Sequence, residues 1–176
     1  MKLRRFSIAL LASLGLVACQ TVYEKAATQI GQAQIKDRAG KVVGTARLFS
    51  LADEVTINVS LEGLPAGTHA VHLHTKGDCS AADFTSAGGH LNPAGHEHGR
   101  LNPKGAHLGD LPNVTISSEG VGTVNGLLTG TNATVTAAIF DEDGTALVVH
   151  EGADDYRSDP AGAAGPRIAC GVFSRG

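Results

Sequence analysis

The 176-residue sequence has no tryptophan, a single methionine and an aromatic content of 4%. It has no basic run, and Asp plus Glu outnumber Lys plus Arg 17 to 14, which excludes a nucleic-acid surface as the organising feature. Its apolar run from Phe6 to Val17 is too short to span a bilayer comfortably. No convincing amphipathic helix appears, so an all-α fold is excluded. No linker-like shift in composition divides the chain, so one domain is expected. Three cysteines are an odd number, which leaves one without an internal partner in an oxidising compartment.

Against that background the eight histidines stand out, because seven of them fall between Gly67 and Asp110 and the eighth is His150. Neutral imidazole is the commonest side-chain metal ligand near neutral pH. Ala70-Val71-His72-Leu73-His74 alternates as a strand does, placing His72 and His74 on one face and Val71 and Leu73 on the other. Two nitrogens held side by side make half of a copper site. The following Gly/Pro/Asn-rich stretch reads as a loop and carries His90, His98 and His107, the last within His-Leu-Gly-Asp110. Three histidines and a carboxylate complete a tetrahedral zinc shell. Such a metal would give a long loop a reason to be ordered. Leu91-Asn92-Pro93-Ala94-Gly95 is echoed by Leu101-Asn102-Pro103-Lys104-Gly105, read as two similar turns in one loop.

The N-terminus reads as an export signal. Lys2, Arg4 and Arg5 precede the apolar run, which ends in Leu16-Val17-Ala18-Cys19. That tetrad resembles a bacterial lipobox, in which Cys19 is lipidated and becomes the mature N-terminus; an ordinary signal cleaved near a cysteine is the other reading. The expected organisation is a signal over 1–18, a lipidated cysteine and tether over 19–28, and one domain over 29–176. Loss of residues 1–18 removes Lys2, Arg4 and Arg5 and no acid, carrying the formal charge from −3 to −6. Any attraction for an anion must then come from local positive charge. Gln20 lacks the aspartate that retains lipoproteins at the inner membrane, which favours the outer membrane of the periplasm.

Beyond the tether the pattern is β. Short runs separated by turn residues occur at Gln32–Lys36, Val42–Leu51, Glu54–Leu61, Ala70–His74, Asn113–Ser117, Val121–Leu128, Thr134–Phe140, Thr145–His150 and Ile168–Phe173. That many short strands indicate an all-β sandwich or barrel.

Taken together, HAVHLH, TSAGGHLNP, HGRLNPKGAHLGDLPN, LVVHEGADDY and GPRIACGV resemble the bacterial copper/zinc superoxide dismutases, in the family's order and with similar spacing. The resemblance implies an eight-stranded Greek-key β-barrel with a long metal-binding loop, so one of the nine runs is a connection. It implies an enzyme that converts superoxide to dioxygen and hydrogen peroxide. Copper would be held by His72, His74, His90 and His150, and zinc by His90, His98, His107 and Asp110, with His90 bridging the two. Arg167 would guide the superoxide anion and Asp154, rather than its neighbour Asp155, would link His72 to His98. His69 would pack behind the copper ligands on backbone, whereas His96 has no counterpart and is expected to be exposed. Cys79 and Cys170 would form the family disulfide, leaving Cys19 for lipid. The short loop after Asp155 lacks the lysines that steer substrate in eukaryotic relatives, so Lys76, Arg100 and Lys104 are the remaining candidates. A homodimer stays open. The competing reading is a copper- and zinc-binding lipoprotein of the same fold without turnover; a missing copper ligand or Arg167 would favour it, and neither is missing.

Overall fold

A computed structural model describes residues 26–176 of the chain. The expected signal, Cys19 and most of the tether lie outside the described residues. Three long antiparallel strands follow one another as a meander: β1 (Thr28–Asp37), β2 (Val42–Leu51) and β3 (Glu54–Glu62). Their period-two pattern drives this, since Val55, Ile57, Val59 and Leu61 all point inward from β3 against Ala46 and Leu48 of β2. The chain then crosses to the far edge as β4 (Gly67–His69) and β5 (Val71–His74). After the histidine loop it returns as β6 (Val114–Ile116) and β7 (Val121–Leu128), with β7 paired to β3. It crosses again to β8 (Ala146–His150), which lies between β5 and β9 (Arg167–Val172), and a short β10 (Ser174–Arg175) ends on β1.

The main sheet therefore runs β5-β8-β9-β1-β2-β3-β7. Its two edges are linked through the separate β4–β6 pair, because β4 leads directly into β5 and β6 lies against β7. This is the Greek-key β-barrel expected, all of it antiparallel, with the apolar core inside.

One run is corrected. Thr134–Phe140 is not a strand; the chain forms helix α1 (Asn132–Ile139) there, so the expectation of no helix also fails. Thr131 caps it: its side chain accepts from Thr134 N, while Thr134 Oγ1 accepts from Thr131 N. Val135 and Ile139, four apart, are the two residues it buries. This helix is the connection between β7 and β8; the other eight expected runs fall on strands, and the structure adds the short β4 and β10.

Candidate metal centre

The loop between β5 and β6 is positioned by the main chain of one strand residue. Leu73 N donates to Gly109 O at 2.9 Å, Leu91 N donates to Leu73 O at 2.8 Å, and Gly109 N donates to Leu91 O at 2.9 Å. Leu91 and Leu111 anchor the same two stretches in the core. The two Asn-Pro turns project between them, each closed by a glycine N–H onto an asparagine carbonyl (Gly95 on Asn92, Gly105 on Asn102). Short bridges then set His90 beside His74 and Asp110 beside His72. On β5 itself Val71 and Leu73 join the core, and His72 and His74 turn the other way.

Four imidazoles converge: His72, His74, His90 and His150, with donor atoms all within 4.8 Å of one another. His72 Nε2 donates to Asp154 Oδ2 at 2.9 Å, His74 Nδ1 to Gly88 O at 2.9 Å, and His150 Nδ1 to Gly165 O at 3.1 Å. Carbonyls and carboxylates can only accept, so these bonds fix the tautomers and leave lone pairs on the opposite nitrogens. Those nitrogens, His72 Nδ1, His74 Nε2 and His150 Nε2, together with His90 Nε2, are buried without a hydrogen-bond partner in the protein. They make up four of the five such side-chain atoms among the described residues. Burying one polar atom unsatisfied costs about 1–3 kcal/mol, so four pointing together need a common partner. Burial first, then the neighbouring imidazoles, lowers His74 to about 2 and His150 to about 3. Burial also lowers His90 to about 4 against the pull of Asp110. All three are neutral at pH 7 and can ligate. Four imidazole lone pairs suit copper.

The second cluster shares His90. The Nδ1 atoms of His90, His98 and His107 lie 3.1, 3.0 and 3.3 Å from Asp110 Oδ1, and those of His90 and His107 are 3.5 Å apart. Four ligands at zinc's usual 2.0–2.1 Å would stand about 3.3 Å from one another, so the spacing fits that ion. His107 Nε2 donates to His96 O at 3.1 Å, which leaves Nδ1 as its lone pair. Asp110 Oδ2 accepts from Gly99 N and His107 N, orienting the carboxylate. His72 also comes within 4.8 Å of this group. Its Nε2, however, is engaged with Asp154 and its Nδ1 belongs to the first cluster, whereas His107 Nδ1 lies 3.3 Å from Asp110 Oδ1, so His107 is the fourth donor that fits.

His98 stands between two carboxylates. Burial opposes its charge, but hydrogen bonds to Asp110 and Asp154 outweigh that and raise it to about 9 in the metal-free chain. Both acids are held far below the usual carboxylate range: burial works against this, and the histidine hydrogen bonds overcome it.

Asp154 rather than Asp155 bonds the histidines. Its Oδ1 accepts from His98 Nε2 at 2.9 Å, and it is buried. Asp155 is exposed and caps Arg157 and Ser158. Asn113, at the start of an expected strand, clamps Asp154 from behind. Asn113 Nδ2 donates to Asp154 O, Asp154 N donates to Asn113 Oδ1, and Asn113 N donates to the Tyr156 hydroxyl. His69 is buried with Nδ1 2.9 Å from His150 O and Nε2 2.9 Å from Pro65 O. His96 is exposed.

A cavity of about 340 Å³ opens onto the shared histidine, lined by His74, His90, His150, Arg167 and Asp159 among others. A larger cavity, about 720 Å³, lies behind the disulfide and holds none of these histidines. Arg167 is half-buried, donating from Nη1 to Phe84 O at 2.6 Å and from Nη2 to Gly88 O at 2.7 Å. The disulfide Cys79–Cys170 closes 91 residues and ties that loop to β9. Lys76, Arg100 and Lys104 do not line the cavity; Lys104 instead pairs with Glu97 at 2.9 Å and Arg100 sits over Tyr156. Two further contributors, besides Asn113, carry no signal in the sequence. Asp159 Oδ1 accepts from His98 N at 2.7 Å, and Arg38 Nη2 donates to Arg167 O at 2.6 Å.

Comparison with known proteins adds independent information. The family model described as copper/zinc superoxide dismutase matches residues 42–173. The chain is 44% identical over 145 residues to superoxide dismutase [Cu-Zn] 2 of Aquifex aeolicus, covering 80% of this chain and 84% of that one. It is 37% identical over 166 residues to superoxide dismutase [Cu-Zn] of Caulobacter vibrioides, covering 92% and 95%. Among solved structures, a superoxide dismutase-like protein from Bacillus subtilis matches with TM-score 0.74 and 38% identity, covering 84% of this chain and 99% of that one.

Proposed function

The chain belongs to the copper/zinc superoxide dismutase family, and we propose that His72, His74, His90 and His150 hold its copper while His90, His98, His107 and Asp110 hold its zinc. Its reaction is the disproportionation of two superoxide anions and two protons to dioxygen and hydrogen peroxide. The observation that carries the ligand assignment is the convergence of four buried, unpartnered imidazole nitrogens. Bound copper supplies one-electron redox chemistry, and bound zinc supplies a fixed positive charge.

The chain's own groups supply binding, orientation and the proton. Arg167 presents a cation at the cavity wall, and a guanidinium holds a small anion through two donors. Its contacts to Phe84 O and Gly88 O hold the side chain still, so the anion meets a preformed partner. The fixed tautomers of His72, His74 and His150 keep three nitrogens aimed at one point without reorganisation. His90 differs because both of its nitrogens face a cluster. Its Nε2 is the atom at which a proton is held and delivered to the product, while Nδ1 keeps the ring in place beside Asp110. Asp154 orients His72 and His98 together.

We further infer export to the bacterial periplasm with Cys19 lipidated and, from Gln20, residence at the outer membrane. Support comes from residues 1–20 of the sequence alone. Mass spectrometry of the mature chain tests it, since an acylated N-terminal Cys19 is expected and a free N-terminus elsewhere contradicts it. A homodimer is compatible with this proposal, and the mass in solution decides it.

The test of function is superoxide loss followed after pulse generation, with chain reconstituted with copper and zinc. First-order loss of superoxide, proportional to the loaded chain, well above buffer and retained when a chelator removes free copper, is expected. Fully loaded chain no faster than buffer would overturn the enzyme in favour of a metal-binding lipoprotein.

A further inference from the structure

Asp154 joins the two clusters by giving one oxygen to each: Oδ2 to His72 Nε2 and Oδ1 to His98 Nε2, both at 2.9 Å. Oδ1 also accepts from Tyr156 N at 2.6 Å. What lies against this side of the carboxylate is main chain, at Gly162. A Cβ built on Gly162 overlaps Asp154 Oδ1 outright, and it falls 2.6 Å from Asp154 Cγ and 2.7 Å from His98 Nε2. Real Cβ atoms essentially never come within 3.0 Å of another heavy atom, so only glycine lets the loop close to this depth.

The loop cannot simply back away. Asp155 N donates to Gly162 O at 2.9 Å and Gly162 N donates to Ser158 O at 2.6 Å. Asp159 ties the same loop to the zinc-loop backbone at His98 N. Gly152 N donates to Ala164 O on the other side. The side chains of His98 and Asp154 are both fully buried beneath, although Asp155 and residues 157–160 above are exposed.

We propose that Gly162 is a positioning residue. The bare α-carbon packed on Asp154 fixes that carboxylate between His72 and His98, and through His98 it sets the zinc affinity. The proposal rests on the assignment of His98 to the zinc site. A methyl group at 162 must push Asp154 off His98 Nε2, because the surrounding main chain is held. Loss of such an orienting partner typically weakens metal binding about 10–100-fold.

The experiment is zinc affinity of the copper-free chain by competition with a chromophoric chelator, for Gly162→Ala against Gly95→Ala. Gly162 has φ +64 and Gly95, in the zinc loop, has φ +66 with nothing within 4 Å of its built Cβ. Both substitutions carry the same backbone strain and only one collides. Gly162→Ala is expected to bind zinc about 10–100-fold more weakly, and Gly95→Ala to stay within about twofold of the parent. Asp154→Ala removes two of the three atoms the methyl would strike. In that background only the 2.7 Å approach to His98 Nε2 remains, so Gly162→Ala is expected to add a loss several-fold smaller than it causes in the parent. Equal losses in Gly162→Ala and Gly95→Ala, undiminished affinity in Gly162→Ala, or the same loss with and without Asp154 would each overturn the proposal. If Gly162→Ala alone does not fold, the double variant must; its failure beside a folded Asp154→Ala also overturns it. Asp110→Ala separates the premise: if it binds zinc as tightly as the parent, the zinc-site assignment fails instead.

Discussion

His74 and Arg167 share a single acceptor, the carbonyl oxygen of Gly88, which takes His74 Nδ1–H at 2.9 Å and Arg167 Nη2–H at 2.7 Å. One peptide group therefore sets the tautomer of a histidine proposed to hold copper and the position of the cation proposed to meet the substrate. Gly88 sits two residues before the shared His90. The proposed metal and anion sites are thus indexed to the same short stretch of chain, and that stretch is fastened by the Cys79–Cys170 bridge.

Arg167→Glu is expected to lower kcat/KM for superoxide about 10–100-fold, the scale of a lost charge-assisted hydrogen bond. Both metals should stay bound, because Arg167 is not a ligand. Arg167→Lys should fall between, since an ammonium cannot span Phe84 O and Gly88 O as the guanidinium fork does. Metal analysis beside pulse kinetics checks both. Unchanged turnover in Arg167→Glu removes the residue from the catalytic list.

Opening the disulfide should act on stability and on the anion site together. In the chain-entropy model a bridge closing 91 residues is worth about 4–5 kcal/mol. Cys79→Ser with Cys170→Ser should lose stability on that scale in urea unfolding of the metal-free chain. Because Phe84 O and Gly88 O lie on the freed loop, the metal-loaded variant should also lose turnover while folded. A destabilised variant with full turnover would contradict the coupling.

Metal-free chain should be most stable at about pH 7, where the proton uptake of three lowered histidines and the proton loss of one raised histidine balance. Burial lowers His74 to about 2, His90 to about 4 and His150 to about 3, so below about 6.5 the unfolded chain binds protons that the folded chain refuses. Stability then falls with falling pH. The lowered Asp110 and Asp154 add to that loss once pH drops below the ordinary carboxylate range. His98 works in the opposite sense: held at about 9 by its two carboxylates, it stabilises fully below 6.5 and loses that contribution as pH rises through 9. Thermal unfolding of the metal-free chain across pH 4–10 should trace a maximum. A Tm that rises steadily from pH 5 to 9 would contradict these assignments.

Much of the barrel was legible because half-buried strands write a period of two. Val42–Leu51 and Val121–Leu128 were read to the residue for that reason. The run Thr134–Phe140 misled because Thr134, Val135 and Thr136 favour strand, and the cap that starts the helix carries threonine where Glu or Gln is the usual sign. The spacing of Val135 and Ile139 was the available clue. The histidines were legible as a set, since few folds need so many imidazoles in one loop. Asn113, Asp159 and Arg38 were not, because each acts on the main chain or bonds a backbone group 41, 61 or 129 positions away. Such contacts leave no pattern in composition or periodicity.

The central claim is that one imidazole serves both metals, and metal content of two purified variants tests it most directly. His90→Ala removes Nε2 from the first cluster and Nδ1 from the second, so both copper and zinc should be lost. His150→Ala removes a nitrogen from the first cluster only, so copper should fall while zinc stays near one per chain. Equal zinc loss in the two variants, or full zinc retained in His90→Ala, would contradict the account.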